Sequence, residues 1–305
     1  MVPDLSRENT LEALNARTIV NVIQRVVRQT LRDDVPGLAA ELAYRSFLAL
    51  FPFLLFLVAL GGFVAYYLGI ENPASEVAEV SQERLPPSAA DLVTEELWTQ
   101  IGTRNPELLS TGIVGALVVA ASGVKAFMKA SNRAYDLDES RSWWRRYLLA
   151  LGLTLLAGGA IMLALMLFLT GQIVGSQVAR TLGIEPTFWR VYQLARWPIT
   201  VLLVFGAAVV LYRFAPSFTL PLRWVLPGAI LFVGGWLSGT YLFGYYVSNF
   251  ASYGFTYGTT GGVVVLLIWF YMTAFILLVG LELNEVIHSQ FGSGTIAERS
   301  QSDST

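Results

Sequence analysis

The chain of 305 residues contains no cysteine, one histidine and few charged residues. Without cysteine it cannot form disulfides, cysteine-ligated zinc sites, iron–sulfur clusters or a thiol nucleophile. Only 14% of its residues are charged, whereas a soluble domain carries about 25%. The net charge of −2 gives the chain no overall basic field of the kind that nucleic-acid-binding proteins use. The sequence therefore argues against a soluble enzyme or a nucleic-acid partner, and it predicts neither a metal nor a cofactor.

Hydrophobic residues make up 54% of the chain, and its mean hydropathy is +0.56. They fall into long runs, and a helix of roughly 20 apolar residues crosses the hydrocarbon core of a bilayer. Six runs are long enough, which predicts an all-α, polytopic membrane protein with a six-helix transmembrane domain over residues 39–290. The predicted spans lie near residues 44–69, 109–128, 147–173, 197–214, 225–250 and 259–284.

The distribution of lysine and arginine predicts the orientation of these spans. Fifteen of the 20 basic residues fall on the side that holds both termini, and five fall on the other side. Because basic residues are retained in the cytoplasm, both termini are predicted to be cytoplasmic.

Residues 1–38 are predicted to form a cytoplasmic region with an amphipathic helix. Its apolar residues recur at helical spacing, while Arg25, Arg28 and Arg32 gather on another face. Such a helix can lie on an anionic membrane surface or pack against the cytosolic face of the bundle, and the pattern fits both. The apolar residues are Ile19, Val22, Ile23, Val26, Val27 and Leu31.

Two further segments flank the predicted spans. The outer loop at 71–107 holds eight acidic residues and two arginines, and the apolar spacing within 91–101 predicts a short helix over the outer face. Residues 291–305 are polar and rich in serine, which predicts a disordered cytoplasmic tail.

Ionisable residues inside or beside a membrane span are costly, so each is a candidate functional group. Glu41 and Arg45 lie four residues apart at the start of the first span and can pair along one helical face. Six cations lie below the second and third spans, where they can attract anionic headgroups or simply mark the cytoplasmic side. These six are Lys125, Lys129, Arg133, Arg141, Arg145 and Arg146.

The inner end of the last span carries a second polar group. Glu282, Glu285 and His288 are spaced three apart, a pattern that can ligate a metal on a helix. Such a site needs further carboxylates from facing helices, and only Glu41 is a candidate at similar depth. A polar helix end is therefore the preferred interpretation. Glu282 is the most deeply placed acid, and we predict that Glu282 and Asn284 border a substrate pathway.

The segment 252–262 joins the last two spans and is rich in glycine, serine and threonine. This composition predicts irregular backbone, which can form a tight outer hairpin or line a cavity at membrane depth. Tyr257 and Gly258 lie in this segment and complete the predicted pathway residues.

Four segments resemble the YihY and virulence factor BrkB family, in order along residues 30–290. They are "AAELAYRSFLALFPFLLFL" (39–57), "KASNRAYDLDESRSWWRRYLLALGLTL" (129–155), "WVLPGAILFVGGWLSGTYLFGYYVSNFASYGFTYGTTGG" (224–262) and "LLIWFYMTAFILLVGLELNEVI" (266–287). The resemblance implies a six-span protein of the bacterial inner membrane with cytoplasmic termini. For relatives it also implies links to serum resistance and to the movement of lipid or lipopolysaccharide precursors.

The family has also carried the label of ribonuclease BN, a transfer-RNA processing enzyme. Metal-dependent phosphodiester hydrolysis needs clustered histidine and acidic ligands, and the chain has one histidine and short cytoplasmic loops. We therefore predict no catalytic residues. The leading hypothesis is a membrane protein that binds or translocates an anionic, lipid-like substrate such as a membrane lipid or lipopolysaccharide precursor. The alternatives are a non-transporting scaffold or assembly factor and, remotely, the ribonuclease.

Overall fold

The computed structural model describes residues 5–67, 106–169, 185–250 and 254–291, which form seven helices. The helices are α1 (Leu5–Arg32), α2 (Val35–Tyr67), α3 (Pro106–Ala134), α4 (Trp143–Leu169), α5 (Glu185–Phe214), α6 (Leu222–Phe250) and α7 (Gly254–Phe291). The described residues contain no strand, so the predicted all-α class is confirmed. The predicted helix at 91–101 and the tail after residue 291 lie outside the described residues.

The six predicted spans each coincide with one of the helices α2 to α7. Three segments of these helices are long and apolar enough to cross a membrane: Leu194–Phe214, Leu222–Val247 and Gly261–Phe291. The chain therefore has helices that can span a bilayer, and the count of six spans stays a prediction.

The break between α1 and α2 is made by Asp33 and Asp34. Asp34 has a positive φ of 55°, a conformation that ends α1 and that aspartate tolerates better than most residues. Its carboxylate Oδ1 accepts a hydrogen bond from the Gly37 backbone N–H at 3.3 Å. This bond caps the first turn of α2, where backbone N–H groups have no partner within the helix. The helix consequently begins at Val35, nine residues before the predicted span.

The last helix corrects one prediction. The glycine-rich residues 254–262 were expected to be irregular, but they form the first turns of α7, which runs without interruption over 38 residues. The expectation was wrong because each glycine costs a helix only about 1 kcal/mol. An unpaired backbone group at membrane depth costs several kcal/mol, so the helix has a lower free energy than irregular backbone.

The chain divides into two compact units. The first comprises Met1–Tyr44 and Val124–Thr305, and the second comprises Arg45–Gly123. Within the first unit, α7 packs on α6 and α1, while α5 packs on α4 and α6. The core of this unit is built by large side chains such as Met128, Leu153, Tyr212 and Leu281, which come from α3, α4, α5 and α7.

In the second unit, the remaining parts of α2 and α3 approach each other closely. A Cβ atom added at Gly115 would lie 3.4 Å from the Cβ atom of Pro52, so a glycine of α3 faces the proline inside α2. The rings of Phe47 and Phe51 make an edge contact along α2, with centroids 5.5 Å apart.

Candidate functional site

The six cations of the predicted headgroup cluster divide into two groups. Lys129, Arg133, Arg145 and Arg146 are exposed, and Lys125 is partly exposed. Arg141 instead points at the end of α5: its Nη1 atom donates to the Ala215 carbonyl at 3.0 Å. Its Nη2 atom donates to the carbonyls of Phe214, at 3.4 Å, and Pro216. The last carbonyls of a helix have no partner within it, so Arg141 acts as a cap for α5.

The exposed cations at the start of α4 lie beside tryptophan. The Trp143 side chain is 82% exposed, and the Arg145 guanidinium lies 5.1 Å from the centre of the Trp144 ring. Tryptophan favours the boundary between headgroups and acyl chains, and arginine binds phosphate. This pairing gives the start of α4 the chemistry of a surface that meets anionic headgroups.

An ion pair and an apolar groove lie near one another in the first unit. The Lys129 Nζ atom is 3.7 Å from the Glu41 Oε2 atom. The groove, with a volume of about 300 Å³, is lined by residues of α2 and α7, beginning with Ala40, the neighbour of Glu41 in sequence. The lining residues are Ala40, Ala43, Tyr44, Val264, Leu267, Ile268 and Tyr271. Small side chains on α2 leave the space open, and its lining suits an acyl chain.

The polar group on α7 is buried in the first unit. Glu282 is 2% exposed and Asn284 is fully buried. The Gly228 backbone N–H of α6 donates to the Asn284 Oδ1 atom at 2.7 Å. In the described part of the chain, Glu282 Oε2 and Asn284 Nδ2 have no hydrogen-bond partner. Two buried polar atoms are therefore available for a ligand or an ion.

Further acids and one arginine surround Glu282. The charged groups that act on it are Asp33, Glu285, Asp136 and Arg32. Arg32 pairs with Asp33 at 3.0 Å and with Asp136 at 3.2 Å. The Asp33 carboxylate accepts its hydrogen bond and holds the pKa of the Arg32 guanidinium above its usual value. The region thus holds more negative than positive side chains.

Aromatic rings surround His288, the remaining member of the predicted polar helix end. Its ring centre lies 5.4 Å from Trp224, 6.2 Å from Phe218 and 6.5 Å from Tyr135. Burial raises the pKa of the Tyr135 phenol, and the charges of Glu285 and Glu282 raise it further. Among the described residues, no three histidine or acidic side chains lie close enough to hold a metal ion.

Comparison with known proteins places these features in a family. The family model described as "Virulence factor BrkB" matches residues 26–304. The chain belongs to the virulence factor BrkB family. Among BrkB relatives, the ribonuclease-like protein YfkH of Bacillus subtilis (strain 168) is 37% identical over 266 residues, which are 86% of this chain and 93% of YfkH.

Other relatives of this BrkB chain are described as UPF0761 membrane proteins. The one from Alkalilimnicola ehrlichii is 25% identical over 90% of this chain, which spans 59% of that relative. The one from Neisseria meningitidis serogroup B is 24% identical over 80% of this chain and 57% of the relative. No solved structure matches the chain. The resemblance predicted from four segments is confirmed, and the chain is a membrane protein of this family.

The structure brings only some of the predicted pathway residues of the BrkB chain together. Glu282 and Asn284 lie within one turn of α7 but point to different sides of the helix, and Glu41 pairs with Lys129. Tyr257 and Gly258 lie in the first turns of α7, and 25 residues of continuous helix place Tyr257 roughly 37 Å from Glu282. Arg45 begins the second unit. The pathway role of all six residues stays a prediction.

Three polar residues that the sequence analysis did not identify, Gln29, Asn132 and Ser217, join helices and loops of the first unit. The Gln29 Nε2 atom donates to Glu285 Oε2 at 2.5 Å. Asn132 Oδ1 accepts from the Ser217 backbone N–H at 2.8 Å and from its hydroxyl at 2.9 Å. The uncharged polar pair Ser131–Asn132, in the last turns of α3 after a long apolar stretch, was a signal that could have revealed Asn132.

Proposed function

We propose that the chain is a six-span protein of the bacterial inner membrane, with both termini cytoplasmic, that binds or translocates an anionic lipid-like substrate. In this proposal the protein is not an enzyme. The observation that carries this proposal is the apolar groove beside the Lys129–Glu41 ion pair. An anionic lipid offers both matching parts, a charged headgroup and an apolar chain.

The helix lengths and the basic residues support the membrane arrangement. Helices α2 to α7 each contain at least 27 residues, more than the roughly 20 needed to cross the hydrocarbon core. The exposed cations lie in the last turns of α3 and the first turn of α4. Positive charge at these helix ends favours a cytoplasmic position for them.

The headgroup would first meet the exposed tryptophan and arginine side chains at the start of α4. Lys129 would then exchange its Glu41 partner for the phosphate or carboxylate of the substrate, since both present an anionic oxygen at similar distance. The acyl chain would lie in the groove between α2 and α7. Glu282 and Asn284, with their unpaired buried atoms, are the further polar groups along α7.

Two variants separate binding from folding. We expect Arg145→Gln/Arg146→Gln to weaken retention of an anionic phospholipid about 30-fold, because each cation near a headgroup contributes about 1 kcal/mol. The melting temperature should stay close to wild type, since both side chains are exposed. Native mass spectrometry of protein in mild detergent, titrated with phosphatidylglycerol, measures the retention.

Arg141→Gln is the matched control and should show the opposite pattern. It removes the cap of α5, so we expect a lower melting temperature with phospholipid retention close to wild type. Equal retention by wild type and the double variant would contradict the proposed headgroup surface.

Translocation requires its own measurement. We expect purified protein in liposomes to accelerate the movement of fluorescent phosphatidylglycerol between leaflets, measured by chemical bleaching of the outer leaflet. Lys129→Gln should slow this movement at least several-fold, because the headgroup loses its partner beside the groove. The sequence has no Walker A pattern, so translocation would run downhill, couple to an ion or use a separate motor. The assay is therefore run with and without a proton or sodium gradient.

The packed core of the first unit favours a second candidate, a non-transporting scaffold. A scaffold would retain lipid without moving it. Liposomes containing the protein that bleach at the rate of empty liposomes under every gradient would replace translocation with this candidate.

A further inference from the structure

The second half of α1 has one face packed on α7 and another that none of the helices in the described residues covers. On the packed face, Val26 is buried and Gln29 donates its hydrogen bond to Glu285. Val22 and Asp33 follow at helical spacing on the same side. These contacts fix the orientation of α1 about its own axis, and therefore decide which residues point away from α7.

The uncovered face carries a row of large apolar side chains. Ile19, Ile23, Val27 and Leu31 are 55–70% exposed. Residues four apart lie one turn above another, so the four side chains form a continuous stripe along three turns. An exposed apolar stripe of this length marks a surface that meets an apolar partner.

The contacts of α1 place this stripe at the inner end of the membrane-spanning helices. Gln29 is joined to Glu285, close to the end of the apolar segment Gly261–Phe291. Arg32 pairs with Asp136, two residues after the end of α3. The stripe therefore lies where the hydrocarbon core gives way to headgroups, provided that α7 spans the membrane.

The charge beside the stripe identifies the partner. Residues 19–32 contain three arginines and no acid. Arg32 is held by Asp33 and Asp136, whereas Arg25 and Arg28 are exposed. At about 100° per residue, Arg28 borders the stripe on the side of Leu31, and Arg25 lies on the opposite side of the helix. An apolar stripe bordered by arginine complements a bilayer surface with negative headgroups. It fits a second copy of the same helix less well, because the two rows of arginine would repel.

We propose that α1 is an interfacial membrane helix, with Ile19, Ile23, Val27 and Leu31 inserted at the headgroup boundary of an anionic leaflet. Arg28, at the edge of the stripe, binds the headgroups there, and Arg25 adds positive charge on the opposite side of the helix. This role goes beyond substrate binding or translocation, and it requires only that α7 spans the membrane. The helix both docks on the bundle through Gln29 and rests on the lipid, so it combines the two interpretations of its amphipathic sequence.

The absence of native cysteine allows a direct test, because one introduced cysteine carries the only label. Ile23→Cys and Asn21→Cys place a spin label on the stripe and on the arginine side; both positions are exposed, so neither replacement opens the core. The full-length protein is reconstituted in liposomes of phosphatidylcholine with or without phosphatidylglycerol. Electron paramagnetic resonance then compares quenching by oxygen, which enters lipid, with quenching by a water-soluble nickel chelate.

With phosphatidylglycerol present, we expect the label at position 23 to be several-fold more accessible to oxygen than to the nickel chelate, relative to the label at 21. Adding Arg25→Gln and Arg28→Gln should reduce this contrast. Equal accessibility at both positions would overturn the proposal. Spin–spin broadening at position 23 would also overturn it and assign the stripe to a second copy. The spin-label measurement does not depend on lipid movement, so it tests the position of α1 independently of the translocation proposal.

Discussion

Replacing Gly228 with alanine should force α6 and α7 apart and lower the free energy of unfolding by about 1–3 kcal/mol, the usual cost of overpacking. A Cβ atom at this position would overlap the Gly280 carbonyl oxygen and the amide of Asn284. The carbonyl belongs to helical backbone and cannot turn aside, so one helix must move. The movement also stretches the 2.7 Å hydrogen bond from Gly228 N–H to Asn284.

The same replacement on the facing helix, Gly280→Ala in α7, should also lower the free energy of unfolding. Its Cβ atom would lie 2.7 Å from the Gly228 carbonyl oxygen and would overlap the Tyr212 hydroxyl. That hydroxyl donates to the Leu277 carbonyl at 2.7 Å, so the change also disturbs the contact between α5 and α7. The two glycines form a close contact that holds three helices together.

Gly234→Ala provides the matched control on the same helix. No atom lies within 4 Å of a Cβ atom added there, and alanine favours helix by about 1 kcal/mol over glycine. We expect its melting temperature to equal or exceed that of wild type, while Gly228→Ala falls below it. Thermal unfolding in detergent, followed by size-exclusion fluorescence, measures both. A Gly228→Ala protein as stable as Gly234→Ala would show that α6 and α7 do not meet at these glycines.

The second large effect is expected at Asn132, which joins the loop after α3 to the loop after α5. The side chain is 5% exposed; it accepts from Ser217 N–H and hydroxyl, and its Nδ2 atom donates to Glu139 Oε2 at 3.1 Å. Asn132→Leu has a similar volume but removes every one of these bonds. Each buried polar group left without a partner costs about 1–3 kcal/mol, so we expect a marked fall in melting temperature.

Two further variants divide this effect into its parts. Asn132→Asp keeps the acceptor for Ser217 but sets a second carboxylate against Glu139, so its melting temperature should lie between wild type and Asn132→Leu. Ser217→Ala removes only the hydroxyl and keeps the backbone bond, so it should lose least, about 1 kcal/mol. An Asn132→Leu protein that melts with wild type would mean that the two loops are not joined through this side chain.

The positions of most helices could be predicted because membrane helices are long apolar runs in the sequence. The same runs do not tell which residues of two helices meet. Gly228 and Gly280 are ordinary glycines in sequence, and only the packed structure shows that each faces the other's carbonyl. Gln29 and Glu285 are separated by 256 residues, so no local pattern could pair them.

In the candidate site, the sequence likewise predicts which residues are buried but not which partners their side chains contact. Glu282 could be identified as buried because an acid near the end of an apolar run is costly and conspicuous. Arg141 was grouped with the headgroup cations because charge alone does not reveal direction. Its guanidinium turns to the carbonyls at the end of α5, an arrangement that depends on where the loop after Phe214 lies.

The hydrogen bond between Gln29 and Glu285 joins two residues that are synthesised at different times. Gln29 leaves the ribosome before Glu285, and the two positions differ by 256 residues. At about 5–20 residues per second, that interval lasts roughly 13–50 seconds. During this time the nascent α1 has no α7 on which to dock, so it is available to targeting factors, chaperones or the membrane surface until α7 is synthesised.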